Sequence, residues 1–76
     1  MSGRLSQLKP KELVRVLEKL GFVLRRQTGS HAIFRHPETQ QMAVVPIHAK
    51  EIKRGLLFGI LKQANISIEN FRNILK

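Results

Sequence analysis

Two stretches with helical apolar spacing bracket a central segment, residues 22–46, that short turns cut into three β-type runs. The connections are a few residues long, too short for a parallel crossover, so the runs must pair as an antiparallel meander. In the first helical stretch Leu13, Val14, Leu17 and Leu20 share one side, and Lys11, Glu12, Arg15, Glu18 and Lys19 take the other. Pro10 suits a first helical turn and Gly21 a left-handed stop, which predicts a helix over residues 10–20. Phe22–Arg26 then reads as a strand, Gln27–Ser30 as a turn, His31–Arg35 as a second strand, Pro37–Gln40 as a turn, and Met42–Val45 as a third strand closed by Pro46.

Beyond Pro46, Ile52, Leu56, Leu57, Ile60, Leu61 and Ala64 predict a second amphipathic helix, with Asn65 as its left-handed stop. Ser67 is placed to cap a short final helix carrying Ile68, Phe71 and Leu75, with Ile66 and Phe71 spaced as a hydrophobic staple. The expected fold class is therefore α+β, in the order α-β-β-β-α with a short extra C-terminal helix. Helices cover one face of the sheet and leave the other for a ligand or partner. At 76 residues the chain is read as a single domain, 1–76, which at this size buries only about 60% of its unfolded surface.

Charge decides what such a domain meets. Fourteen Lys and Arg face five acids, a formal net charge of +9, an excess that points to a polyanionic partner: nucleic acid, an anionic membrane or an acidic protein. The apolar stripes are both needed for the thin core, which argues against a membrane, and Met1–Leu5 lacks the apolar run of a signal peptide. With no cysteine there is neither a disulfide framework nor a thiolate metal site, in keeping with a cytoplasmic location. Trp and Tyr are absent, so stacking on bases would fall to Phe, His or Arg.

Within that cationic chain the tripeptide Gly29-Ser30-His31 presents an imidazole at a small turn. Histidine is the side chain suited to exchanging protons near neutral pH, and Gly29 with Ser30 supplies the parts of an anion-binding nest. Taken alone, turn formation explains Gly29 and Ser30, and His31 need only begin a strand. Lys50, Lys53 and Arg54 gather where the second helix begins, although cations are electrostatically misplaced at a helix N-terminus. A bound anion would account for them, as would a solvated turn partly balanced by Glu51. His48 suits a phosphate contact, a cap, a catalytic acid or a plain exposed residue, and His36 reads most simply as a solvated loop residue. Three histidines with scattered carboxylates have no recognisable metal-ligand spacing, so neither metal nor other cofactor is expected.

Leu13–Phe22, the run Arg26-Gln27-Thr28-Gly29-Ser30-His31-Ala32-Ile33-Phe34-Arg35-His36-Pro37, Val45-Pro46-Ile47-His48 and the stretch from Glu51 to Ala64 resemble, in order and spacing, the HicA toxin family. Ala32 stands where many members carry a second histidine. The resemblance implies a double-stranded-RNA-binding-domain-like fold, a toxin-antitoxin ribonuclease that cleaves mRNA, a HicB antitoxin as inhibitor, and His31 as the catalytic residue. On that basis the expected reaction is metal-independent. His31 takes the proton of a ribose 2′-OH that attacks the neighbouring phosphorus, Gly29 and Ser30 place the phosphate, and Lys50, Lys53, Arg54 and His48 bind the RNA. The acid for the leaving oxygen stays open among His48, a lysine and water. The alternative is a non-catalytic RNA-binding module on the same fold, reading duplex RNA by shape.

Overall fold

A computed structural model of the protein describes residues 8–75; the leading Met1–Leu5 segment, and Arg4 and Lys76 among the cations, lie outside them. Helix α1 (Pro10–Lys19) is followed by strands β1 (Val23–Thr28), β2 (His31–Arg35) and β3 (Met42–Pro46), then by α2 (Arg54–Gln63) and α3 (Ile68–Leu75). The sheet order is β1-β2-β3 with both pairings antiparallel. The expected α-β-β-β-α order with an added C-terminal helix is the one observed.

Local chemistry sets the boundaries. Lys9 N–H donates to Glu12 Oε1 at 2.9 Å, satisfying a donor ahead of α1, and Pro10 opens the helix without needing an amide partner. Asn65 takes φ +60 after α2, and Ser67 Oγ accepts the Asn70 N–H at 3.1 Å to start α3. The second helix begins at Arg54 rather than at Ile52. Ile52 is instead held in an isolated antiparallel bridge, its N–H donating to the Leu8 carbonyl at 2.7 Å, and both side chains are fully buried.

The core is one layer between the helices and the inner face of the sheet. Ala32 and Phe34 of β2 and Ala43 and Val45 of β3 are buried, while their alternating neighbours Ile33 and Val44 are not. Leu13, Val16 and Leu17 of α1, Leu57, Ile60 and Leu61 of α2, and Phe71 of α3 close over them. Strand β1 departs from expectation in two ways. It runs on through Gln27 and Thr28, and all six of its residues are exposed, so the helical cover reaches β2 and β3 but stops short of β1. Among the described residues no helix is long and apolar enough to cross a membrane.

His36 is the residue that sequence reading misjudged. It is half-buried, its Nδ1 accepts the backbone N–H of Glu38 (3.1 Å) and of Thr39 (3.3 Å), and its ring meets Phe22 edge-on at 5.3 Å and 85°. Its main chain closes the same turn, with Gln40 N–H donating to its carbonyl and its own N–H donating to Gln41, each at 2.9 Å. Gly21, at φ +98, passes so close that a Cβ there would lie 2.9 Å from His36 Nε2. The junction between α1 and β1 and the turn between β2 and β3 are thus built around one imidazole.

Candidate active site on the β1–β2 hairpin

Thr28 pairs with His31, so the turn between β1 and β2 is only Gly29-Ser30, tighter than the four residues read from the sequence. Gly29 takes φ +51 and Ser30 does not share the positive sign, the pattern of a type II′ turn with glycine in its first central position. Nothing lies within 4 Å of where a Gly29 Cβ would sit, so the backbone conformation requires the glycine and the space above it stays open.

This turn puts His31 first on β2, exposed, with its imidazole Nδ1 3.2 Å from Ser30 Oγ. A hydroxyl both donates and accepts, so it can serve Nδ1 in either ring tautomer. When Nδ1 carries the hydrogen and donates it to Ser30, the Nε2 lone pair faces outward. Among the described residues none hydrogen-bonds Nε2.

The sequence-nominated cations are arranged less tightly. His31 pairs with Pro46, and Ile47 N–H donates to the Ser30 carbonyl at 2.9 Å, so the chain toward α2 departs from beside the turn. His48 follows immediately and is exposed. Lys50, Lys53 and Arg54 are also exposed, and no hydrogen bond joins them to the turn. Lys53 is the N-cap of α2 without a side-chain cap, and the helix has no acid in its first turn. Positive charge there therefore faces solvent with no acid in the helix's own first turn, and Glu51, just ahead of it, is the one carboxylate in this segment.

Sequence reading passed over Arg26 and Arg35. They lie on the same sheet face as His31: Arg35 is four residues further along β2, and Arg26 of β1 pairs with Ile33, the outward-facing β2 residue between His31 and Arg35. The available signal was period-two counting outward from a two-residue turn. It was obscured because the register slips by one residue between Leu24 and Arg26. Arg35 is held in place by neutral acceptors, Nη1 to Gln40 Oε1 at 3.3 Å and Nη2 to Met42 Sδ at 3.4 Å.

Among the described residues no cluster of three or more His, Cys, Asp or Glu side chains forms a site for a metal ion. No curated protein matches the chain. The family model described as the HicA toxin of bacterial toxin-antitoxin systems matches residues 10–66, a span that runs from the first residue of α1 past the end of α2 and contains the whole Gly29-Ser30-His31 hairpin. The chain belongs to the HicA toxin family.

Proposed function

We propose that this toxin acts as a metal-independent ribonuclease on mRNA with His31 as its general base. The observation that carries the reading is the exposed imidazole whose Nδ1 is engaged by Ser30 Oγ at 3.2 Å while Nε2 has no partner among the described residues. In the tautomer with hydrogen on Nδ1, Ser30 accepts that hydrogen and Nε2 takes the proton of a ribose 2′-OH. The 2′ oxygen attacks the adjacent phosphorus, the bond from phosphorus to the 5′ oxygen breaks, and a proton from solvent neutralises the leaving oxygen. The products are a 2′,3′-cyclic phosphate end and a 5′-OH end.

General-base assistance of this kind contributes about 10²- to 10⁴-fold, so placement and charge must supply the rest. The open space over Gly29 admits a phosphate close to the backbone. Lys50, Lys53, Arg54 and His48, on the segment that leaves from beside the turn, hold the flanking RNA and offset charge growing on the phosphorus oxygens. The antitoxin in this reading is a HicB-type protein, acidic where it covers the same cationic surface.

The test is incubation of RNA with the wild type and with His31→Ala, each in excess chelator, followed by mapping of end chemistry. Wild type is expected to leave cyclic phosphate and 5′-OH ends, and the variant to lose about 10²- to 10⁴-fold in rate. Undiminished cleavage by the variant would refute the base, and loss with chelator alone would refute the metal-independent step. Duplex binding without new ends would make the protein a binding module.

A further inference from the structure

The outward face of the sheet is uncovered, and its charge has one sign. None of the three strands contains an Asp or Glu. Counting by register, the row nearest the hairpin turn holds Thr28, His31 and Pro46, the middle row centres on Ile33 with Arg26 beside it, and the far row holds Arg35 beside Met42. His31 and Arg35 are separated by about 13 Å of strand, and Arg26 lies between them on the neighbouring strand. No carboxylate among the described residues pairs with either arginine; the partners of Arg35 are a side-chain amide and a thioether.

The solvent side of α1 is different. Lys11, Arg15 and Lys19 there are interleaved with Glu12 and Glu18, so their field is largely cancelled within the helix. The sheet face has no such cancellation. It also ends at the imidazole on one side.

From this we infer that the outward sheet face is the track for the RNA strand, with Arg26 and Arg35 binding its phosphates on the side of the cleaved bond away from the hairpin turn. The inference rests on the ribonuclease reading for its substrate. The strand bound there is single: the face is shallow, and it ends in a base that must reach one ribose. Its centre is aliphatic, with Ile33 and Val44 half-buried, and none of the four phenylalanines lies on a strand's outward side; Phe34, the one within a strand, is buried inward. Without an aromatic platform the bases gain little stacking, so recognition is weighted to phosphates and the track tolerates many sequences.

Binding is measured by anisotropy of a labelled single-stranded RNA over a range of salt, with His31→Ala in every protein so that the probe stays intact. Arg26→Ala and Arg35→Ala are each expected to weaken binding and to reduce the slope of log K against log salt by about 0.7, and the double variant by about 1.4. Arg26→Lys and Arg35→Lys retain the slope, whereas Lys11→Ala with Lys19→Ala on α1 leaves binding unchanged. Unaltered slopes in the sheet variants, or a loss confined to the α1 pair, would overturn the track. Polyglutamate serves as the acidic-protein probe: if the sheet variants lose it but keep RNA, the face belongs to an acidic protein and the proposal fails. Cleavage is not read in this experiment, so these slopes together with a wild type that makes no new ends in the cleavage assay would sink the ribonuclease reading and leave the track standing.

Discussion

Gly21 and His36 offer a measurement of how tightly two turns are joined through one side chain. Replacing Gly21 by Ala forces an L residue to hold φ +98, which costs about 1–2 kcal/mol from the left-handed backbone alone. The new Cβ would also meet His36 Nε2 at 2.9 Å, so the ring must shift. Shifting it strains the two N–H donors it accepts at 3.1 and 3.3 Å and its edge contact with Phe22 at 5.3 Å. Water reaches that turn and replaces part of the loss, leaving about 1–2 kcal/mol for this second contribution. Gly21→Ala should therefore cost about 2–4 kcal/mol and His36→Ala about 1–2 kcal/mol. In the double variant the ring is gone and only the backbone penalty is added, so its cost should be about 2–4 kcal/mol, short of additivity by about 1–2 kcal/mol. The assay is urea unfolding followed by far-UV circular dichroism, because the chain has no Trp or Tyr to report by fluorescence. With m about 1 kcal/mol/M for a domain of this size, each kcal/mol moves the midpoint by about 1 M. Strict additivity of the two substitutions would refute the contact as the source of the cost.

Two further outcomes follow from single side chains. Phe71→Ala, which removes a fully buried ring that fastens α3 into the core, should cost about 3–5 kcal/mol in the same urea titration, and a loss below about 1 kcal/mol would mean that α3 is not integral to the fold. Ser30→Ala should slow RNA cleavage roughly fivefold, the worth of about 1 kcal/mol in holding the imidazole, with Ser30→Thr near wild type; equal rates for all three proteins would remove Ser30 from the positioning of His31.

The elements most legible in the sequence were those whose signals are local. Leu13, Leu17 and their neighbours repeat with the helical period, Gly21 and Asn65 mark left-handed stops, and Ser67 caps the helix that follows it. What was not legible depended on partners distant in sequence. Gln27 and Thr28 look like turn residues because both are polar, yet β1 is an uncovered edge where polar side chains cost nothing and pairing with Ala32 and His31 decides. Ile52 has helical spacing from Leu56, but its bridge to Leu8 delays the helix to Arg54. His36 resembles an ordinary loop histidine until Phe22 and Gly21 are brought against it. At the candidate site, Gly29, Ser30 and His31 could be named from their order, whereas Arg26 and Arg35 required the register, and the slip after Leu24 hides it.

The bridge from Leu8 to Ile52 bears on where this toxin can be cut. The span that identifies the family, residues 10–66, omits both Leu8 and Phe71, two of the fully buried members of the core. A shortened chain drawn to those limits would leave the Ile52 N–H without its acceptor and open voids at both ends of the same apolar layer. Losses of about 2–5 kcal/mol for the leucine and about 3–5 kcal/mol for the phenylalanine rival the whole stability of a domain this small, about 4–11 kcal/mol. The part of the sequence that makes the protein recognisable is thus smaller than the part that makes it fold, and fusion partners or deletions belong outside Leu8 and Leu75, with the hairpin as the part to leave bare.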